Sequence, residues 1–422
     1  MKKPLATEVF DHPQQSVKSI TKTRITRQIL TLLHRWAGLS LAVFLFIAGF
    51  TGTIISWDHE LDEWLNPQLF ERQSQGEALP PLVLADRLEK TDPRIMITWL
   101  PLSIESDRNL GLAVIGRPDP QTGKAIDLGV NQIALDPVTV EIRGSRMWGD
   151  IALTRENFVP FLYKLHYSMH FPDFFDIEFG ILLMGVLAIV WTIDCFVALL
   201  LSFPNWQAWR KSFAFRWHQG GYKLNFDLHR SGGVWLWGLL LILAVTAVSM
   251  NLKLEVMRPI VAVFSMLSPD PFAVRSPNPH DEPIEPGIDR HEIVGLAQAK
   301  SHQRGWKLPL GGMFYDPEYS IYGVTFHEPG KDHADGGLGN PWLYFDGQDG
   351  RFLGDKIPGS GSAGDIFLDA QFPLHSGRIL GLPGRIMVSI LGLLVAILSV
   401  TGVIIWYRKR KARAMRHHDD RH

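Results

Sequence analysis

A single cysteine, Cys195, stands in the 422 residues. It excludes an internal disulfide framework and any multi-cysteine zinc or iron–sulfur site. An excess of one charge is also missing, since 42 Lys and Arg face 43 Asp and Glu for a net charge of -1. A nucleic-acid-binding domain would show a net basic face, so no nucleic-acid partner is expected. No G-x-x-x-x-G-K-[ST], H-E-x-x-H or G-x-S-x-G occurs, and no G-x-G-x-x-G is expected after a strand. Nucleotide, zinc-peptidase and nucleophile-elbow chemistries therefore have no support in the sequence.

What the chain has is apolar length. Hydrophobic residues make up 46% of it and gather into four runs. Trp36 to Ile55, Gly232 to Met250 and Ile386 to Trp406 carry no charge, and Phe179 to Phe203 carries one acid, Asp194. About 20 apolar residues at 1.5 Å each cross a hydrocarbon core of roughly 30 Å. Four spans are thus predicted, at 36–56, 179–203, 232–250 and 386–406. Sixteen Lys and Arg flank the spans on one side, among them Lys22, Arg24, Arg210, Lys211, Arg416 and Arg421, against Lys253, Arg258, Arg378 and Arg385 on the other. That bias puts both termini in the cytoplasm. The first run is too long for a signal-peptide core and no small-x-small cleavage site follows, so it is expected to stay as an anchor. The cytoplasmic parts are then 1–35, the loop 204–231 and the basic tail 407–422. Two large segments, 57–178 and 251–385, lie outside, each ending in a stretch that leads into the next span.

Both outside segments have mixed composition and are expected to fold as two small α+β modules. In the first, Pro81 to Leu88 reads as a short helix. Ile95–Leu100, Gly111–Ile115 and Asn131–Leu135 alternate like strands, and Asp136-Pro137-Val138-Thr139 makes a turn. In the second, His291 to Ser301 reads as a helix, Ser320–Phe326 and Trp342–Phe345 as strands, and Asp346 to Gly350 as a turn. The halves correspond. Leu33-His34-Arg35 opens the first span and Leu228-His229-Arg230 the third, while Leu165-His166 precedes the second and Leu374-His375 the fourth. Ile133-Ala-Leu-Asp136 through Gly144 runs parallel to Leu343-Tyr-Phe-Asp346 through Gly354. The expected fold is an integral membrane, α-helical four-span bundle, built as a parallel two-fold repeat with two α+β exterior modules.

Asp227-Leu-His229-Arg230 followed by Gly232 and Trp235, Trp191-Thr-Ile-Asp194-Cys195 running to Pro204, and Gly392 to Gly402 running into Trp406 and the basic tail carry a resemblance. The chain resembles the PepSY-associated transmembrane family of bacterial inner-membrane proteins, which includes iron-regulated proteins and ferrisiderophore reductases. The likeness covers about Arg27 to Arg410. It implies PepSY-like exterior modules, a bacterial inner-membrane location and a ferric siderophore as partner. Some relatives carry an added flavin and nicotinamide reductase domain, which this sequence does not contain.

The four repeated histidines fall into two layers, His34 with His229 on the cytoplasmic side and His166 with His375 on the outer side. A polar ring in a membrane helix is costly unless partnered. Two neutral imidazoles facing each other across a bundle can fill both axial positions of a haem iron, and the bundle interior gives the porphyrin an apolar slot. Two layers make two b-type haems, the iron of each held by one pair. A non-haem metal and a purely structural or proton-handling role are the alternatives, and zinc or copper would want further ligands. His170, four residues after His166, would share its face on a helix and is the other candidate for the outer ligand. Arg35 and Arg230 are placed to pair with haem propionates or simply to anchor the spans. Asp194, an intramembrane acid, is a candidate for proton handling or for holding a ligand histidine, and equally for a local hydrogen bond. Cys195 reads as a small buried apolar side chain. His327 with His333, and His417 with His418, read as solvated pairs before metal chelates.

The function these features lead to is a di-haem oxidoreductase that passes electrons from a cytoplasmic reductase or membrane quinol to an acceptor outside, and the resemblance implies a ferric siderophore as that acceptor, reduced to release its iron. Aromatic and basic side chains near the outer haem are the expected contacts. A siderophore or iron transporter is one alternative, though it would show broken spans or several midplane polar residues. A haem-free periplasmic sensor or scaffold is the other.

Overall fold

The computed structural model describes residues 14–174, 177–203, 205–332 and 336–419, except the side chains of 14–24, 206, 208 and 416–419. His333 and Arg421 therefore lie outside the described residues, as do the side chains of Lys22, Arg24, Arg416, His417 and His418. Four long helices, α1 (Gln14–Ile55), α6 (Phe179–Ser202), α7 (Gly221–Asn251) and α12 (Leu382–Asp419), contain stretches apolar and long enough to cross a membrane. Short helices are α2 (Asp58–Leu65), α3 (Pro67–Phe70), α4 (Pro81–Thr91), α5 (Phe158–Ser168), α8 (Arg258–Phe264), α9 (Arg290–Gln303), α10 (Ala363–Asp369) and α11 (Gln371–Ser376). The protein is an integral membrane protein of mixed α and β structure. The span helices run past the apolar runs, because Lys and Arg stems lie along a helix while their charges reach water, so backbone pairing continues into polar sequence.

The chain divides into two compact units, and each long helix gives a segment to both. One unit holds residues 1–44, 190–241 and 397–422. Its helix segments are tied by polar contacts to main-chain oxygens: Arg27 donates to the Leu201 carbonyl, Asn225 to that of Thr401 and Trp237 to that of Cys195. Asp227 is fully buried there and takes the Arg216 guanidinium at 2.6 and 2.7 Å.

The other unit, 45–189 with 242–396, contains all the strands: β1 (Ile95–Pro101), β2 (Leu110–Gly116), β3 (Gln132–Leu135), β4 (Ile142–Arg146), β5 (Leu310–Asp316), β6 (Ile321–Phe326), β7 (Trp342–Asp346) and β8 (Phe352–Lys356). They form one antiparallel sheet in the order β4-β3-β2-β1-β5-β6-β7-β8. The expectation of two separate modules is corrected here. β1 and β5 pair through Trp99↔Phe314, Leu100↔Met313 and Pro101↔Gly312. Left apart, each would be an open edge presenting unpaired amides and carbonyls. One core runs beneath the whole sheet, with Leu84, Ala85 and Leu88 of α4 and Ile293 and Ala297 of α9 buried against strands of both halves.

The halves of the sheet match in detail. β3 pairs with β4 through Ala134↔Gly144 and bulges before Leu135↔Ile142, while β7 pairs with β8 through Tyr344↔Gly354 and bulges before Phe345↔Phe352. Each turn is closed by an aspartate whose Oδ1 accepts from the amide two residues on, Asp136 from Val138 and Asp346 from Gln348. Within the membrane segments of this unit, Gly49 and Gly392 let α1 and α12 touch backbone to backbone. A Cβ on Gly49 would lie 2.5 Å from the Gly392 carbonyl oxygen, and Thr53 donates to the Ser389 carbonyl at 2.8 Å. Small residues at such a crossing give spans the van der Waals contact that lipid cannot supply.

Candidate functional site

In the unit that carries the sheet, the last turn of α5 presents His166 and α11 presents His375, with ring centres 6.1 Å apart. The ring of His166 packs over α1, where Nδ1–H donates to the Ala48 carbonyl at 2.9 Å. Thr51 Oγ1 lies 3.2 Å from the same nitrogen, its own hydroxyl donating to the Ile47 carbonyl. His375 Nδ1 is 2.9 Å from Thr246 Oγ1 of α7. That hydroxyl donates to the Ile242 carbonyl at 2.7 Å, so its oxygen accepts from the ring. Burial pushes His166 down to about 4, and burial with the nearby His166 pushes His375 down to about 3, so both rings are neutral at pH 7.

The second pair of rings lies in the other unit and is built the same way. His34 of α1 and His229 of α7 have ring centres 6.1 Å apart. His229 Nδ1–H donates to the Leu398 carbonyl of α12 at 3.0 Å, beside Thr401 Oγ1 at 3.2 Å. His34 Nδ1–H instead meets both carboxylate oxygens of Asp194 on α6, at 2.9 and 3.0 Å. Asp194 is only 9% exposed.

A carbonyl or a carboxylate can only accept, and the Thr246 hydroxyl hydrogen is already used. All four histidines therefore carry a proton on Nδ1, which in the neutral ring leaves the lone pair on Nε2. Among the described residues, none of the four Nε2 atoms makes a hydrogen bond. This is the form in which a histidine binds a metal, its other nitrogen oriented by a neighbouring acceptor. The spacing agrees as well. A metal–imidazole bond of about 2.0 Å, with about 1.1 Å from that nitrogen to the ring centre, sets two axial rings about 6.2 Å apart. Of the arginines that follow the first pair, Arg35 Nε and Arg230 Nε are buried without a hydrogen-bond partner, while Arg230 Nη2 donates to the Lys211 carbonyl at 2.6 Å and lies 3.8 Å from Asp227. Two histidines per centre suit a haem iron; a bare metal would want more, and among the described residues no three His, Cys, Asp or Glu side chains converge as a metal site.

The structure separates His170 from this arrangement. α5 ends at Ser168, and Met169 and His170 both take left-handed backbone, with φ of 55° each. His170 stacks on Phe161 and donates from Nε2 to that residue's carbonyl. The shared-face expectation fails because the helix stops before it can hold. Cys195 is buried, as expected, whereas His327, read as solvated, is buried with its ring over Gly311 and Nδ1 on the Glu328 carbonyl. Gly359-x-Gly361-x-x-Gly364 does follow a strand, β8, which corrects the sequence reading. It opens a seven-residue helix after an antiparallel edge strand, and the N-terminal amides there are taken by a capping box of Ser362 and Asp365. Asp365 puts a carboxylate where a phosphate would have to sit.

Apart from Asp194, sequence reasoning missed the groups that orient the rings. Two are main-chain carbonyls, which no residue type announces. A Thr-Gly step marks both of them, Thr51-Gly52 after Ala48 and Thr401-Gly402 after Leu398. A cavity of about 600 Å³ also lies in the sheet-bearing unit, lined by Asp58 of α2, Trp99 of β1, Glu105, Trp148 and Tyr163 among others. Tyr163 is on α5, one turn before His166.

No curated protein matches the chain. The family model for the PepSY-associated TM region matches residues 31–409. That stretch takes in the four spans, the whole sheet and both histidine pairs, and the chain belongs to the PepSY-associated TM region family.

Proposed function

We propose that this protein is a di-haem oxidoreductase of the bacterial inner membrane that passes electrons outward to a ferric chelate, a ferric siderophore in the expected case. The observation that carries the reading is the set of four histidines locked as Nδ1–H tautomers in two pairs, each with ring centres 6.1 Å apart. Bound between the rings of a pair, a b-type haem supplies a one-electron carrier. His34 with His229, and His166 with His375, would hold it. Ala48, Thr246, Leu398 and Asp194 fix the ring orientations, and Arg35 and Arg230 are the candidates for propionates.

The balance is simple. A quinol gives up two electrons and two protons, the protons passing to water as it becomes quinone, or a cytoplasmic reductase gives up two electrons, and two ferric chelates each gain one electron to become ferrous. Ferrous iron is held less tightly by hard oxygen donors, so the chelator lets go. The cavity next to α5 offers the acceptor a place of suitable size. Aromatic rings line it, in keeping with the contacts expected. The basic half of that expectation fares worse, because Arg108 and Arg146 are engaged by Glu63 and Asp62. Acids outnumber bases in the lining, which favours a neutral or cationic chelate. The matched order, bulges and aspartate turns of β1–β4 and β5–β8 support a parallel two-fold repeat. The Lys and Arg bias supports cytoplasmic termini, with the sheet in the periplasm.

The test is the absorption spectrum of detergent-purified protein, air-oxidised and then dithionite-reduced, with haem counted per chain. Two low-spin, six-coordinate b-type haems are expected. His166→Ala or His375→Ala should then remove one haem and abolish reduction of external chelates. A folded, colourless protein would sink the electron-transfer reading and promote the transporter or the scaffold. Against the transporter stand four unbroken span helices.

A further inference from the structure

Three of the four ring protons go to neutral acceptors: the Ala48 and Leu398 carbonyls and the Thr246 hydroxyl. The fourth, on His34, goes to a carboxylate that receives it on both oxygens. Among the described residues Asp194 forms no ion pair with Lys or Arg, its partner being the His34 ring, and it is 9% exposed. The acid has no counterpart in the other half. Asp194 stands twenty-eight residues after His166, and the same step from His375 reaches Val403. The two centres, alike in ring spacing, differ at His34, where a carboxylate stands in place of a neutral acceptor; Arg35 and Arg230, which follow the first pair in sequence, bring the opposite charge to that centre, Arg230 being already engaged by the Lys211 carbonyl and 3.8 Å from Asp227.

We infer that Asp194 makes the His34–His229 pair the lower-potential haem site of the two, and so sets the outward direction of electron flow. The inference rests on the haem reading above. A carboxylate accepting from Nδ1–H draws the proton toward itself and makes Nε2 a stronger donor, which favours the ferric over the ferrous state. Its charge acts in the same direction, because the ferric centre is the more positive and a buried site screens the attraction poorly. Neutral carbonyl and hydroxyl acceptors exert the first effect weakly and the second hardly at all. Asp194 is in this sense a positioning residue with an electrostatic consequence: it touches neither the iron nor the acceptor.

The experiment is a potentiometric titration of the full-length protein in detergent, followed in the haem bands, for wild type and Asp194→Asn. Asparagine keeps the size and can still accept from His34. Two haems per chain are expected in both. In the variant the lower midpoint should rise toward the upper one while the upper stays in place. Two haems with both midpoints unmoved, or a shift confined to the upper one, would overturn the inference. A variant that loses a haem is judged by a second comparison. His375→Ala retains only the first pair and His229→Ala only the second, and the former must titrate at the lower potential. Equal or reversed midpoints overturn the proposal. A wild-type protein without haem defeats the underlying reading instead, and the two failures are told apart by the haem count alone.

Discussion

A Cβ added at Gly52 would lie 2.9 Å from Cε1 of His166, and one added at Gly402 would lie 2.9 Å from Cε1 of His229. In each case the neighbour is a ring pinned through Nδ1 to the same helix, one turn earlier, so it cannot swing aside without losing that bond. Glycine is needed here for the close approach of a ring to a helix backbone, since neither residue is in left-handed conformation. On the proposed di-haem reading, Gly402→Val should therefore displace His229 and lower bound haem from two per chain toward one, the remaining spectrum being that of the His166–His375 pair. Gly52→Val should do the reverse. Equal haem content in both variants and wild type, by haem assay and reduced-minus-oxidised spectra, would show that ring placement does not depend on these contacts. The histidines themselves were legible because the duplication repeats them, and Asp194 because a lone acid in an apolar run is conspicuous. Thr51 and Thr246 were legible in principle, each seventeen residues after the histidine that opens its span. The carbonyls of Ala48 and Leu398 were not, because every residue has one.

At the level of elements, helix type and place came through where periodicity is long, and strands failed where glycine or charge breaks the alternation. β5 contains Gly311-Gly312, which reads as a turn. In the sheet the first lies under the His327 ring and the second under Trp99, where a Cβ would come within 2.2 and 2.9 Å of those rings. β4, with the sequence Ile-Arg-Gly-Ser-Arg, shows little β-branching. What secures it is long-range: Arg146, 8% exposed, forks onto Asp62 of α2 at 2.6 and 2.9 Å and also donates to the Glu156 carbonyl. Removing one member of a buried pair leaves an uncompensated charge and costs about 3–5 kcal/mol. Asp62→Ala should accordingly lower the unfolding midpoint of the sheet-bearing unit sharply, read by tryptophan fluorescence in denaturant. Asp62→Ala with Arg146→Met should recover much of the loss. A single variant as stable as wild type would mean that the pair does not anchor β4.

For the whole molecule, the question is whether the sheet acts as one body. Its core mixes the halves: Leu84, Leu135 and Val114 come from the first and Ile293, Val324 and Leu343 from the second, all 0–1% exposed. The β1–β5 pairing joins the backbones across the middle. The sequence pointed to two modules because each has its own helix, strands and aspartate turn, and nothing in a linear pattern says which edges meet. Edge pairing is a property of the assembled surface, and it shows only in three dimensions. Leu343→Ala opens a cavity at a fully buried site and should cost about 2–5 kcal/mol. If the sheet is one cooperative unit, that loss appears as faster hydrogen exchange in β1–β4 as well as β5–β8, by similar amounts, because slow amides open only through unfolding of the whole unit. Two independent modules would confine the change to β5–β8 and leave β1–β4 as protected as before. A shared response would further mean that any strain placed on one half by a bound acceptor is felt in the other, since the β1–β5 pairing and the common core leave no boundary at which it could stop.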